Sequence, residues 1–206
     1  PVKKGYIFYP SKRQCDETTA DGKIEFRYKA ELDRKFFIAV TGNQMLPSEG
    51  SFDDVYGKSL FSPEIKAGYK FYRDFYVWGG YSFLSKNGKS YPEFKEPAKW
   101  EEKFLSLGLG YFGNFSITFG WKAEVGLIYV SFTEKMSQIE EGEVVDTFSE
   151  SGNALGLRIG GASIFKFSDR LFTEISLGYL FASDKVNEIS IKLGGLRAGI
   201  GLGVRF

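Results

Sequence analysis

The sequence contains no histidine and only one cysteine, and these absences exclude much of the familiar chemistry of active sites. Without histidine, neither a Ser-His-Asp triad nor a Cys-His pair can form, and the commonest metal ligand is missing. One cysteine excludes a disulfide framework and a multi-cysteine zinc site. We therefore expect a protein that is not an enzyme and that has no catalytic residues, no metal site and no cofactor.

A long apolar run and an excess of one charge are also missing. No run approaches the ~20 apolar residues that a membrane-spanning helix needs. Lys and Arg number 27 against 26 Asp and Glu, so the overall charge gives no reason to expect binding to nucleic acid. The chain opens at Pro1 without Met or an apolar leader, which we interpret as a processed protein or a piece of a longer one.

Glycine and aromatic residues are abundant instead, with 25 Gly, 21 Phe and 12 Tyr. From residue 35 onward, apolar and polar residues alternate with a period of two. In one segment Ile65, Ala67 and Tyr69 alternate with Lys66 and Gly68. This periodicity predicts β-strands in a sheet with two unlike faces.

Short and long connections alternate along this region. Three short turns with polar turn residues are predicted at Arg73-Asp74, Gly113-Asn114 and Ser168-Asp169. Longer polar connections cover about 44–58, 86–99, 134–152 and 183–188. Seven connections join eight strands, predicted at 35–43, 59–72, 75–85, 100–112, 115–133, 153–167, 171–182 and 189–206.

The apolar face of such a sheet could point into a core or toward lipid. A soluble, lipocalin-like barrel that binds a small ligand has the apolar face inside. Three observations favour lipid: both signs of charge mixed with Gly on the polar face, aromatic residues near the turns, and short connections on one side only. The predicted fold is therefore all-β, an eight-stranded antiparallel up-and-down transmembrane β-barrel with short periplasmic turns and longer extracellular loops.

The charged residues of the polar face are then expected inside the barrel. They are Glu64, Lys66, Lys70, Lys122, Glu124, Arg158, Glu174 and Arg197. We favour the interpretation that they form an ion-pair network that fills the interior. A gate or a narrow ion path is the alternative, although eight strands leave no wide pore.

Two segments carry a resemblance to a known family. They are the segment 61–71 (FSPEIKAGYKF) and the end of the chain, 201–206 (GLGVRF). With the pattern of strands and turns over residues 35–206, they resemble the small outer-membrane β-barrels of Gram-negative bacteria, the OmpA/OmpX-like transmembrane domains. The resemblance implies a bacterial outer-membrane location with both termini in the periplasm. It also implies that Phe206, Val204 and Leu202 form the signal read by the barrel assembly machinery.

The predicted long connections suggest contacts with other molecules. Lysines near the outer leaflet could meet lipopolysaccharide phosphates as point charges, and these candidates are Lys86, Lys89, Lys95 and Lys99. The segment 134–150 is acidic, and we favour a solvated loop over a cation site because it lacks a calcium-loop pattern. Outer-membrane lipids, lipopolysaccharide and other envelope proteins are the expected partners.

Residues 1–34 lie outside the resemblance and have several interpretations. They form a charged leader before the barrel, the end of a periplasmic module, or an edge strand that adds to the sheet of an envelope partner. Cys15 has no small-residue lipobox before it, so we expect a free thiol and no lipid anchor.

Three classes of function remain at the level of sequence. The favoured class is a non-enzymatic outer-membrane barrel that is a structural anchor, a surface-interaction platform or an accessory subunit of an envelope complex. The alternatives are a narrow channel for small solutes and the soluble ligand-binding barrel.

Overall fold

A computed structural model describes residues 34–89, 96–116, 118–140, 143–186 and 189–206, which form a closed antiparallel barrel. Its elements in chain order are β1 (Phe36–Pro47), α1 (Gly50–Tyr56), β2 (Leu60–Tyr72), β3 (Phe75–Lys89), β4 (Pro97–Asn114), β5 (Phe119–Glu140), β6 (Glu143–Lys166), β7 (Leu171–Phe181), β8 (Ser183–Val186), β9 (Ile189–Lys192) and β10 (Gly195–Arg205). The barrel order is β1-β10-β7-β6-β5-β4-β3-β2, and β8 and β9 form a separate two-stranded sheet. The predicted eight-stranded up-and-down barrel is confirmed.

The two ends of the barrel differ in their connections. At one end, which we call the turn end, β2–β3, β4–β5 and β6–β7 are joined by short turns, and Phe36 pairs with Phe206. The opposite end, called the loop end, carries α1 and the β8–β9 sheet. No helix in the described part of the chain is long and apolar enough to span a membrane.

Several predicted boundaries are wrong because polar strands beyond the barrel look like loops. Most of the predicted loop 134–152 belongs to β5 and β6, and residues 86–89 and 97–99 extend β3 and β4. The second turn begins after Asn114, later than predicted, because Gly113 and Asn114 already pair with Trp121 and Gly120. The predicted last strand, 189–206, is divided into β9 and β10. Where water lies on both sides of a strand, polarity no longer distinguishes it from a loop.

The outer face of the barrel carries a wide band of exposed apolar side chains. Its middle includes Ile38, Val40, Ile65, Leu105, Leu107, Leu109, Val125, Leu127, Leu157, Ile159, Ile175, Leu177, Ile200 and Leu202. Exposed aromatic residues flank this band toward both ends. A soluble protein does not expose so continuous an apolar surface, and lipid-facing bands with aromatic girdles are typical of membrane barrels. The lipocalin-like alternative is therefore wrong.

Glycines on the inner face make room for a large buried side chain. Gly108 and Gly126 face each other across β4 and β5, with Trp78 beside them. A Cβ atom at Gly108 would lie 2.2 Å from the carbonyl oxygen of Val125 and 2.8 Å from the Trp78 ring. A side chain at position 108 could not move aside, because the β5 backbone lies on one side of it and the buried Trp78 indole on the other.

Gly108→Val is therefore expected to lower the free energy of unfolding by at least about 1–3 kcal/mol, the usual cost of overpacking. Urea titrations in detergent micelles, followed by circular dichroism, measure the loss. Gly79→Val is the matched control, because a Cβ atom there meets only an ordinary contact at 3.7 Å. Equal losses in the two variants would contradict this account of the packing.

Candidate functional site

The interior of the barrel has three layers. A charged and polar layer lies in the middle, between an apolar cluster toward the turn end and a larger one toward the loop end. The middle layer exists because inward positions of neighbouring strands carry charged residues at the same level. No group of three or more His, Cys, Asp or Glu side chains is placed to hold a metal ion among the described residues.

One half of the middle layer is centred on Glu64 of β2. The guanidinium group of Arg158 donates to both carboxylate oxygens of Glu64, with Nη2 3.1 Å from Oε2. Arg197 lies 3.8 Å from the same carboxylate and donates to the hydroxyl groups of Ser62 and Ser82, each at 3.4 Å. Glu64 is thus held by cations from two strands across the barrel.

The other half joins Lys66, Lys122, Glu124 and Glu174 in a chain. Lys66 Nζ donates to Glu124 Oε2 at 2.5 Å, and Lys122 Nζ donates to Glu174 Oε2 at 2.6 Å. Lys122 also lies 3.3 Å from Glu124. These side chains are almost completely excluded from solvent, so the network occupies the space that a pore would need.

Neutral side chains complete the middle layer. Tyr76 donates its hydroxyl proton to Glu124 at 2.9 Å, and Thr41 donates to Glu174 at 3.3 Å. The Trp78 ring lies beneath both Lys66 and Arg158, with the charged groups 5.0 and 5.1 Å from its centroid. Sequence reasoning missed these partners, although they share the inward period-two register of the charged residues.

Seven of the eight predicted interior charges lie in this buried layer, and Lys70 does not. Lys70 has the inward register of β2 but lies near the turn end, is partly exposed, and pairs with Asp74 at 3.6 Å. Its position follows from its place near the end of the strand, where water reaches the interior. Placing Lys70 in the buried network was wrong.

The turn end is filled by rings. Tyr76 and Phe112 are stacked at 4.3 Å, and Phe37 packs edge-on against both. The guanidinium group of Arg205 lies 5.3 Å from the Phe112 centroid and 5.0 Å from that of Phe172. These rings, together with the charged middle layer next to them, close the barrel at its turn end.

The loop end is closed by α1 and residues of β9. Phe52 packs edge-on against Trp100 at 5.3 Å, and Trp100 stacks on Phe132 at 5.2 Å. Tyr56 donates its hydroxyl proton to Glu134 at 2.6 Å. Burial and this bond raise the pKa of Tyr56, so the hydroxyl group stays protonated. A small cavity lies beneath this cover, lined by residues that include Phe52, Leu60, Trp100, Glu102 and Ile191.

A long hairpin projects from the loop end. Its strands β5 and β6 pair from Phe119 and Phe165 to Glu140 and Glu143. The outward apolar series stops at Tyr129 and Leu155, and side chains on both faces are exposed from Asp146 to Ser151, including Phe148 at 55%. The ladder between β6 and β7 begins only at Leu157. Between Leu157 and the tip, Gly156 and Gly152 lie beside Phe181 and Asp184. Among the described residues, no strand pairs with residues 143–151 of β6 on that side.

The predicted lipopolysaccharide contacts are not all on the outer surface. Lys89 and Lys99 are exposed on the outside, and Lys99 pairs with Glu101 at 2.6 Å. Lys86 has the inward register of Ser82 and Leu84 and is half-buried, so its placement toward the outer leaflet is wrong. Lys95 and Cys15 lie outside the described residues. Apart from Arg34, so does the whole segment 1–34, and its interpretations stay predictions.

The predicted assembly signal lies at the turn end of β10. Leu202 and Phe206 are exposed on the outer face, and Val204 between them is half-exposed. The amide of Phe206 donates to the carbonyl oxygen of Phe36 at 2.8 Å. This geometry closes the barrel between its first and last strands.

Comparison with solved structures matches this architecture. OprG from Pseudomonas aeruginosa aligns with a TM-score of 0.61 at 12% identity, covering 84% of this chain and 96% of OprG. A major outer membrane protein from Thermus thermophilus gives 0.57 at 13% identity, covering 83% and 99%. Ail, the attachment invasion locus protein of Yersinia pestis, gives 0.51 at 16% identity, covering 84% and 97%.

The chain has the fold of the small outer-membrane β-barrels. The resemblance seen in the sequence is thus confirmed at the level of fold. At these identities the likeness establishes architecture alone, because barrels of this kind carry unrelated functions. No protein-family model matches the chain, and no curated protein matches its sequence.

Proposed function

We propose that this protein is a non-enzymatic, non-conducting barrel of the bacterial outer membrane that serves as a surface-interaction platform. The projecting β5–β6 hairpin is the observation that carries the proposal. A strand with one free edge offers unpaired backbone groups to an incoming partner. Phe148 adds an exposed aromatic side chain beside that edge. The turn end faces the periplasm, and the loop end faces the cell exterior.

The charge of the hairpin indicates the kind of partner. Asp146 and Glu150 are exposed on β6, and the exposed Lys135 on β5 is the cation beside them. Glu134, opposite Glu150, is bonded to Tyr56. An extended partner with basic residues would therefore be favoured over an acidic or sulfated one. Ail is named as an attachment protein and was solved with the heparin analogue sucrose octasulfate. Its surface role supports the class of function proposed here, whereas the acidic hairpin argues for a different ligand.

Two other roles remain within the same class. Exposed Lys89 and Lys99 are candidate contacts for lipopolysaccharide phosphates, and the terminal residues Leu202, Val204 and Phe206 are the candidate signal for the assembly machinery. A structural anchor or an accessory subunit of an envelope complex would use the barrel without the hairpin. A narrow channel would need a path through the filled middle layer.

Photo-crosslinking in living cells tests the platform directly. Benzoylphenylalanine replaces Phe148 on the hairpin in one variant and Leu107 on the lipid-facing band in the control. We expect a protein adduct from position 148 and none from position 107. An epitope tag between Glu140 and Glu143 should bind antibody on intact cells, and a tag between Ser168 and Asp169 only after permeabilisation. No adduct at position 148, or labelling in the opposite order, would contradict the proposal.

A further inference from the structure

Glu102 is an acid buried in the apolar cluster that closes the loop end. Its side chain is 3% exposed, and its neighbours in register are Leu84 on β3 and Phe132 on β5. It forms no ion pair with any described residue. Arg197, whose charge lowers the pKa of Glu102, pairs instead with Glu64 and donates to two serines. An ionised carboxylate is costly in such surroundings unless it is paired.

Glu102 belongs to the part of β4 that rises above the lipid-facing band. Its chain neighbours Glu101 and Lys103 point outward and are charged, and the outward apolar residues begin at Leu105. Burial raises the pKa of Glu102 to about 8, against the opposing influence of the nearby Trp100 indole and of Arg197. The carboxyl group is therefore mostly neutral at pH 7 and ionises slightly above it.

The surroundings of Glu102 contain both a cavity and a buried donor. Glu102 and Trp100 line the same small cavity, and the Trp100 indole nitrogen is buried with no hydrogen bond of normal geometry in the described structure. Other charged groups face this region from every neighbouring element. They are Arg197 from β10, Lys86 from β3, Glu134 from β5, Glu49 from the start of α1 and Lys192 from β9. Tyr56 on α1 stays protonated. Polar groups around a cavity give water a place to enter once the carboxyl group is charged.

Polar contacts and apolar packing together hold the cover in place. The side chains contribute the bond from Tyr56 to Glu134, the bond from the Lys192 amide to Glu49 at 3.3 Å, and the bond between Ser48 and Tyr179. The backbone adds bonds from Ser48 to Gly194 and from Leu193 to Ala182, each at 2.9 Å. The packing of the seven-residue helix α1 over Trp100 and Phe132 is the part of this attachment that a charge at Glu102 would disturb.

We propose that Glu102 is a proton-operated latch of the loop end. Its neutral form lets α1 and β9 pack over the cavity. Its ionised form draws water into the cavity and releases the cover, which opens the upper part of the barrel and leaves the charged middle layer in place. The latch opens above neutral pH. It exposes the cavity at the loop end, whereas the middle layer and the turn end stay closed.

Cysteine accessibility measures the opening. The full chain with Cys15→Ser receives Leu60→Cys, which places a thiol in the lining of the cavity. The protein in lipid nanodiscs is treated with a charged, membrane-impermeant methanethiosulfonate between pH 6 and pH 9. A second protein with Phe148→Cys, an exposed position, gives the intrinsic pH dependence of the reagent and of a thiol. The rate at position 60 is divided by that reference.

We expect this ratio to rise at least about tenfold with a midpoint near pH 8, because the ionised fraction of a group with a pKa of about 8 rises from about 1% to about 90% over this range. With Glu102→Gln the ratio should stay low and flat. Gly88→Val gives the open reference: a Cβ atom at Gly88 would lie 2.4 Å from the Val55 carbonyl oxygen, so the variant displaces α1 at every pH.

The outcomes separate cleanly. A flat ratio with Glu102 present, or an equal rise with Glu102→Gln, overturns the latch. If Leu60→Cys fails to fold, Ile191→Cys probes the opposite wall of the same cavity. Stability gives a second reading. Because the folded pKa of Glu102 lies above its ordinary value of 4.5, the melting temperature should fall as pH rises from about 5 to about 8, and Glu102→Gln should remove this part of the fall.

Discussion

Glu124→Ala is expected to lower the free energy of unfolding by about 3–5 kcal/mol, the cost of removing one partner from a buried ion network. The variant leaves Lys66 and Lys122 as buried cations that have lost a carboxylate at 2.5 and 3.3 Å. It also leaves the Tyr76 hydroxyl without its acceptor. Ion current should change much less than stability, because aromatic rings still fill the turn end below the network.

Denaturant titrations in micelles measure this loss, and planar bilayers measure the current. Glu101→Ala is the matched control: Glu101 also pairs with a lysine, Lys99 at 2.6 Å, but both side chains are exposed. An exposed pair contributes about 0–1 kcal/mol. Unchanged stability of the Glu124 variant would contradict the filled interior. Stepwise currents in that variant, with its stability unchanged, would favour an ion path.

Trp78→Ala is expected to cost about 3–5 kcal/mol, the usual range for removing a large buried aromatic side chain. The ring is 1% exposed and lies between the charged layer and the glycines of β4 and β5. Its loss opens a cavity and removes the ring from beneath Lys66 and Arg158. It also removes the bond from the indole N–H to the Leu109 carbonyl oxygen at 3.2 Å.

Circular dichroism in urea reports this effect without relying on the fluorescence of the deleted residue. Trp121→Ala is the comparison, because Trp121 points outward from β5 and is only half-buried. We expect its loss of stability to be clearly smaller. If the two variants lose the same stability, Trp78 does not support the charged layer as described.

Much of the architecture could be predicted because one physical rule acts along each membrane strand. Lipid outside and a narrow interior force apolar and polar residues to alternate, so the inward register of Glu64, Lys122 and Arg158 could be derived from sequence. The partner of each charge could not be derived, because it depends on how far neighbouring strands are shifted relative to one another. The pairing of Arg158 with Glu64 crosses the barrel and is visible only in three dimensions.

The prediction failed where that rule stops acting. Above the lipid, β5 and β6 run with water on both faces, and their polar residues gave no period-two signal. The hairpin that carries the proposed function was therefore interpreted as a loop. Glu102 was missed for a different reason. Alternation along the predicted strand 100–112 separates it from Glu101, but only the fold shows that its neighbours on β3 and β5 are the apolar Leu84 and Phe132.

The mobility of the purified protein in a detergent gel, with and without boiling, distinguishes a closed membrane barrel from a soluble protein. A closed barrel with an outward apolar band stays folded in the detergent until it is heated. We expect two different mobilities, with the unboiled band converted to the second on heating. A single mobility under both conditions, from protein that is soluble without detergent, would contradict the membrane barrel and return the apolar face to a soluble core.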